Sequence, residues 1–265
     1  MLTAEQQQHF ETFGFLLMRE YFSPSEMEAF SSAFDELLAE DRQGRPFPGE
    51  KRQAVFGFIE KRPLLRRLVE DDRIYEPIEQ LLGTGFVWIG SAGNLYVGDT
   101  GWHPDSRERD YDMIKVIFYL DPVGRNTGCL RAIPGSHRLP LHEDVGPLTL
   151  QRSDPGVSPF AVSPRDVPCS LLESQPGDVV FFNQNLWHSS FGGQTGRRMF
   201  TLNFGAKPTT DEHIEYLQRL YQDNLQNIER MQFTQTGRFY EESFLNSDRP
   251  RIRGMTAKLV ELGFS

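Results

Sequence analysis

From Phe86 onward the chain breaks into short β-type runs cut by Gly, Pro, Asn and Asp, and this punctuation constrains the fold more than any other feature. The runs fall at 86–90, 94–97, 113–120, 129–133, 178–182 and 198–204. Within 113–120, Ile114, Val116, Phe118 and Leu120 share one face by strand parity, and Lys115, Ile117 and Tyr119 share the other. A strand that is apolar on both faces belongs between layers, so the first face is expected beneath helices and the second inside a barrel. Helical signals precede and follow this region. Ser23-Pro24-Ser25-Glu26 is a capping box with proline at the first helical position, and Phe30, Ala33, Phe34, Leu37 and Leu38 then recur at helical spacing. Two shorter helices are expected at 66–70 and 74–82, the latter ended by Gly83. His9 falls on an amphipathic N-terminal helix. A polar helix carrying Ile214, Leu217, Leu220 and Tyr221 on one side runs from Thr209 toward Met231.

Together these signals predict a mainly β fold with flanking helices: a helical section at 1–85, a barrel or sandwich at 86–208 and a helical section at 209–265, all in one domain. A chain of 265 residues with 38% hydrophobic side chains can bury one large core without dividing. Between His137 and Pro168 the prolines at 140, 147, 155, 159 and 164 and the weak periodicity predict a long loop, and loops of that length are usually functional. No internal repeat or low-complexity tract is present.

Charge and composition exclude several classes. A formal charge of −9 repels a phosphate backbone, and basic pairs such as Lys61-Arg62 and Arg66-Arg67 are short and interleaved with acids, so nucleic acid is not an expected partner. No apolar run approaches the ~18 to 20 residues of a membrane span, and the opening residues lack the layout of a secretory signal. Cys129 and Cys169 lie outside any CxxC pair, which argues against a thiolate metal site and fits a reducing, cytoplasmic setting.

The candidate chemistry lies in His103-Pro104-Asp105. In an extended segment both ligand side chains project to the same side. His188 follows the strand-like run ending at Asn183, which places it on a neighbouring strand. Two imidazoles and one carboxylate on one face of an octahedron are the ligand set of non-haem iron(II) oxygenases, leaving three positions for substrate and dioxygen. HxD alone is weak evidence, since His142-Glu143-Asp144 repeats it in the proline-rich loop, where a solvated surface is the expected role. His137, closing the turn Ile133-Pro-Gly-Ser-His-Arg138, and His213, in the acidic start of a helix, are expected to be structural or exposed, as is His9.

A second signal supports the His103 reading. After His188 and a Gly-rich turn comes Arg197-Arg198-Met-Phe-Thr-Leu-Asn-Phe204, in which Arg198, Phe200, Leu202 and Phe204 share the apolar-rich face. If that face packs on helices, Arg197 points into the barrel. A buried guanidinium requires an anion, and its planar fork suits bidentate capture of a dicarboxylic cosubstrate. A structural pair between Arg197 and an Asp or Glu is the alternative.

In these stretches the chain resembles the phytanoyl-CoA dioxygenase family of iron(II)- and 2-oxoglutarate-dependent oxygenases. The matches are Trp102-His-Pro-Asp105, Tyr119-Leu-Asp-Pro with Asn126-Thr-Gly-Cys-Leu and Ile133-Pro-Gly-Ser-His-Arg138, Pro176-Gly-Asp with His188, and Arg197-Arg198. Phe13-Gly-Phe-Leu-Leu and the helix after Ser23-Pro24 fit the family's opening, so the likeness runs from about Leu2 to Phe204. It implies a double-stranded β-helix (a cupin-like jelly roll), iron(II) on His103, Asp105 and His188, and 2-oxoglutarate with its far carboxylate on Arg197. The family's turn between the last His and the Arg is somewhat longer, which leaves Arg198 as the alternative, with strand parity favouring Arg197. Asn94, Tyr96 and Lys115 are carried as contacts to cosubstrate or substrate, or else as ordinary core polar residues. The implied reaction uses dioxygen, converts 2-oxoglutarate to succinate and carbon dioxide, and oxidises a substrate C–H bond. Hydroxylation is the default, with desaturation or ring closure open. Asp105 disfavours halogenation, because halide-binding relatives replace that carboxylate with a small residue.

Two other readings remain: a cupin-like metalloenzyme using His103 and His188 with zinc or manganese and no 2-oxoglutarate, and a non-catalytic jelly-roll binding protein. Arg197 discriminates the first, and the intact ligand set the second. No CoA-binding element or basic patch for a polyphosphate carrier is evident. The expected substrate is therefore a free small molecule, a natural-product intermediate of sugar-containing or amino-acid-derived type, held under a lid formed by 137–168 and 42–58.

Overall fold

The computed structural model describes residues 1–106, 108–154, 156–234 and 238–265. Pro155, one of the loop prolines, lies outside them. Along the chain run α1 (Ala4–Phe13), β1 (Phe15–Met18), α2 (Pro24–Asp41), β2 (Gln53–Phe56), α3 (Pro63–Arg66), α4 (Asp72–Leu82), β3 (Val87–Tyr96), β4 (Thr100–His103) and β5 (Met113–Tyr119). There follow β6 (Leu130–Ala132), α5 (Leu141–Asp144), α6 (Leu150–Ser153), β7 (Ser170–Leu172), β8 (Val179–Asn183), β9 (His188–Ser190), β10 (Arg197–Gly205), α7 (Asp211–Met231), α8 (Glu242–Leu245) and α9 (Pro250–Glu261). A six-stranded sheet, ordered β1-β8-β5-β10-β3-β2, faces a four-stranded sheet, β4-β9-β6-β7, and the pairings are antiparallel. This is the expected jelly roll.

Strand parity divides the large sheet as the sequence predicts. Ile114, Val116, Phe118 and Leu120 join Phe200, Leu202 and Phe204 in a core shared with Phe30, Phe34 and Leu37 of α2. Phe118 and Phe200 stack at 4.5 Å, and each such buried ring contributes roughly 1.5 to 3 kcal/mol. On the opposite face Ile117, Tyr119, Val180, Phe182 and Met199 meet Leu130, Ala132 and Leu172 of the small sheet. Helix α2 begins as its capping box dictates, with Ser23 and Glu26 satisfying each other's backbone N–H groups.

Several elements differ from the sequence expectation. The runs 86–90 and 94–97 are one strand, β3, because β10 and β2 pair across the intervening Ser91-Ala92-Gly93 and override its weak strand preference. Gly93 is required there, since a Cβ would lie 2.4 Å from the Phe58 ring. The section 1–85 is not wholly helical: it supplies β1 and β2, the two edges of the large sheet. The segment 66–70 is only the end of α3 followed by a 3₁₀ turn at Arg67–Val69. The 137–168 segment, expected as a loop, also carries the short helices α5 and α6, and its Leu148 is buried against Trp102, Ile133, Trp187 and Phe191 beside the small sheet.

Candidate metal centre and its cavity

Strand β4 ends on His103 and β9 begins on His188, and the two residues are direct cross-strand partners with ring centroids 4.4 Å apart. Asp105 lies just beyond β4 rather than in it. Its position comes from the next loop, because the backbone N–H groups of Asp105 and Ser106 both donate to the Gln184 carbonyl, at 2.8 and 2.9 Å. The ligand atoms of the three side chains thereby fall within 4.8 Å of one another. Each histidine Nδ1 faces a backbone carbonyl, His103 that of Gly101 at 2.8 Å and His188 that of Leu186 at 2.9 Å. A carbonyl only accepts, so each Nδ1 carries the proton and each Nε2 presents a lone pair toward Asp105, 3.6 Å away in both cases. These donors suit a divalent metal ion.

The electrostatics agree. Burial pushes the His188 imidazole down to about 3, so it stays neutral. For Asp105 burial acts upward, but the Lys115 ammonium beside it acts the other way, and the carboxyl lies well below its ordinary range. Lys115 Nζ donates to Asp105 Oδ2 at 2.6 Å.

Arg197 leaves β10 on the inner face, opposite Tyr96 in the register, and is only 7% exposed. Its Nε and Nη1 have no hydrogen-bond partner and, among the described residues, no carboxylate pairs with it. The side chain passes between two glycines: a Cβ at Gly128 would lie 1.6 Å from Arg197 Nη1, and one at Gly193 2.2 Å from it. Space has been kept for a guanidinium that has no protein anion. Arg198, its neighbour, points to the other face and is bonded to Asp121 at 2.6 Å, Asp35 at 2.9 Å and the Ser31 hydroxyl at 2.8 Å.

The three ligand residues and Arg197 open onto one cavity of about 180 Å³, also lined by Lys115, Tyr96, Tyr119, Ser189, Arg52 and Arg152. A second cavity of about 230 Å³ adjoins it, sharing Arg52, Asp105, Lys115 and Thr201, and reaches Gln184, Asn203, Asn224, Asn227 and Phe239. Lys115 lines both. Asn94 does not line either: its Oδ1 accepts from Arg52 Nε at 3.1 Å and Nη2 at 2.5 Å, and its amide donates to the Ala92 carbonyl. It therefore supports Arg52 rather than contacting a ligand. Sequence reasoning missed Arg52, Tyr119, Ser189 and Arg152. Parity along β5 already put Tyr119 on the face of Lys115, whereas the other three needed tertiary contacts. The expected lid segments contribute Arg152 and Arg52, but α7 and Phe239, unforeseen, close the second cavity.

The remaining histidines stand apart. His142 is not solvated as expected: its Nδ1 bonds the Ser136 and Asn185 carbonyls at 2.9 and 3.1 Å, tying the loop to the turn before β9. His137 reaches the Glu11 carbonyl, His9 packs on Phe13 and Phe15, and His213 accepts from the Thr209 N–H in the first turn of α7.

The phytanoyl-CoA dioxygenase (PhyH) family profile matches residues 10–200. Ectoine dioxygenase of Bordetella bronchiseptica is 26% identical over 216 residues, covering 71% of this chain and 70% of that protein. HygX from Streptomyces hygroscopicus, solved with nickel and 2-oxoglutarate, superposes with a TM-score of 0.61 at 20% identity, over 79% of this chain and 88% of HygX. The non-haem α-ketoglutarate-dependent carbocyclase SnoK from nogalamycin biosynthesis gives 0.60 at 20% identity, over 81% and 90%. The last two are likenesses of fold. The profile match spans most of the chain, and the chain belongs to the phytanoyl-CoA dioxygenase (PhyH) family of iron(II)- and 2-oxoglutarate-dependent dioxygenases.

Proposed function

We propose that His103, Asp105 and His188 hold the iron, that Arg197 binds the far carboxylate of 2-oxoglutarate, and that the second cavity receives a small-molecule substrate whose C–H bond is hydroxylated. The observation that carries this reading is Arg197, buried, unpaired and given room by Gly128 and Gly193. A buried charge left unpaired costs several kcal/mol, so a carboxylate ligand is its expected counter-charge. When bound, iron and 2-oxoglutarate supply the oxidising chemistry: dioxygen is consumed, the keto acid leaves as succinate and carbon dioxide, and a substrate C–H bond is oxidised.

The chain's own residues set the rest. The two β-strands hold both imidazoles in one tautomer, and Lys115 steadies the Asp105 carboxylate. Tyr119 and Ser189 add hydroxyls to the cavity wall; Ser189 Oγ is buried without a partner among the described residues. Asp105 would take the ligand position that a halide needs, which supports oxygenation over halogenation. A cupin-like enzyme without 2-oxoglutarate would leave Arg197 without an anion, and a non-catalytic binding protein would have no use for the ligand set. We favour a natural-product intermediate as substrate, in keeping with the SnoK likeness. Among the described residues no helix is long and apolar enough to cross a membrane. We place the enzyme in the cytoplasm, where Cys129 and Cys169 remain free thiols.

Anaerobic protein given iron(II) and 2-oxoglutarate is expected to develop the weak visible charge-transfer band of the chelate, with Arg197→Ala requiring far more 2-oxoglutarate to reach it. Folded, iron-loaded wild type that develops no band would refute the cosubstrate assignment.

A further inference from the structure

The metal-side cavity carries more positive charge than one 2-oxoglutarate explains. Arg52, Lys115, Arg152 and Arg197 line it, against the single carboxylate of Asp105, which Lys115 already engages. Arg52 stands just before β2, half-buried, at the boundary between the two cavities, and lines both. No carboxylate pairs with it among the described residues. It is held by neutral groups instead: the Asn94 carbonyl oxygen accepts from Nε and Nη2, and the guanidinium carbon lies 4.2 Å from the centre of the Tyr96 ring. Arg197 lies 5.1 Å from the centre of that same ring. Two guanidinium groups sharing one aromatic ring repel each other, so the pair calls for anionic charge beyond the protein's own. The support also fixes Arg52 without consuming its charge, leaving Nη1 at the boundary with no partner among the described residues. Beyond it, the second cavity offers neutral amide groups from Gln184, Asn203, Asn224 and Asn227, which suit a hydroxyl- or amide-bearing body.

We propose that Arg52 is a specificity-determining residue: it binds an anionic group of the substrate, a carboxylate or a phosphate, and Asn94 and Tyr96 are its positioning residues. A substrate anchored there places its polar body against the amide wall and its nearest carbons beside Asp105. The proposal rests on the reading that Arg197 takes the far carboxylate of 2-oxoglutarate, and its rival is that Arg52 and Arg197 grip that carboxylate together.

The test uses full-length protein loaded anaerobically with iron(II), in wild type, Arg52→Gln, Arg52→Lys and Arg197→Gln. The charge-transfer band is first titrated with 2-oxoglutarate. With the cosubstrate saturating, matched anionic and neutral probes, glucuronate with glucose and glycerate or glycerol phosphate with glycerol, are then titrated by calorimetry and by their effect on the band. Arg52→Gln is expected to bind 2-oxoglutarate within about twofold of wild type, while Arg197→Gln weakens it about tenfold or more. At least one anion should bind wild type at least about tenfold more tightly than its neutral partner, Arg52→Gln should abolish that preference, and Arg52→Lys should restore part of it. Preference for glucuronate or glycerate assigns the group as a carboxylate, and preference for glycerol phosphate as a phosphate ester. Three results overturn the proposal: 2-oxoglutarate binding lost equally in the Arg52→Gln and Arg197→Gln proteins, an anion preference unchanged by Arg52→Gln, or no probe preferred over its neutral partner by wild type. A wild type with no band fails at the earlier step and removes the cosubstrate reading itself.

Discussion

Arg197 and Arg198 are consecutive residues on β10, yet they occupy two different electrostatic environments. Arg198, on the helix-packed face, is answered by Asp121 and Asp35 and is partly open to water. Arg197, on the inner face, is more deeply buried and unanswered. The difference separates what the fold needs from what a ligand must complete: a structural arginine is paired within the chain, whereas this one is kept in a slot between two glycines with its charge unspent. The same division runs across the sheet. The outer face is a continuous aromatic core, and the inner face carries Lys115, Tyr119, Thr201 and the ligand histidines' cavity.

The largest expected effect lies on the inner face. His188→Ala should lower succinate formation by at least about a thousandfold, because a three-ligand site loses one donor, while the melting temperature changes little. Turnover at the wild-type rate would remove His188 from the site. Next comes the arginine pair, where the two substitutions should act in opposite ways. Arg197→Met should weaken 2-oxoglutarate binding about 10- to 100-fold, yet leave the metal-free protein equally or more heat-stable, since an uncompensated buried charge is removed. Arg198→Ala should leave 2-oxoglutarate binding within about twofold and lower the melting temperature by roughly 2 to 4 °C, for an exposed network worth about 1 kcal/mol. Calorimetric melting and cosubstrate titration of both proteins check this, and an exchange of the two phenotypes would reverse the assignment.

A smaller effect is expected from the slot. Gly193→Ala puts a methyl group against Arg197 Nη1 and should weaken 2-oxoglutarate binding about tenfold with the guanidinium intact. Binding equal to wild type would show that the slot is not restrictive. The smallest lies in the helix-side core, where Glu60 is buried, accepts from Trp88 Nε1 at 2.8 Å and from the Glu241 N–H at 2.7 Å, and is pushed by burial up to about 7. Its folded value exceeds its unfolded one, so the stability it contributes is complete below about 4.5 and is lost as pH rises through 7. Urea unfolding should show a decline on the order of 1 to 3 kcal/mol between pH 5 and 8 from this group, flattened in Glu60→Gln.

What the sequence displayed was the part fixed by local pattern. Alternation in 113–120 and 198–204 assigned both faces of β5 and β10 and hence the direction of Arg197 against Arg198. The capping box marked α2, and the spacing of His103 and Asp105 marked the candidate site. What it did not display depends on partners distant in the chain. Strands β4 and β9 are three or four residues long and exist because they pair with each other, so their sequences show no period. Asp105 reaches the site through a loop held by the Gln184 carbonyl, not by strand parity. Arg52 lies among polar residues before a four-residue edge strand, and only its contacts with Asn94 and Tyr96 reveal its position. His142 shows the converse: a second HxD that local spacing cannot distinguish is set aside because, among the described residues, it joins no cluster of metal-ligating side chains.

The most direct measurement is an anaerobic crystal structure of the chain with iron(II) and 2-oxoglutarate. One iron bound by His103, Asp105 and His188, with the far carboxylate of the keto acid bonded to Arg197 between Gly128 and Gly193, is the expected result. Iron bound elsewhere, or that carboxylate on Arg52 with Arg197 still unpaired, would contradict it.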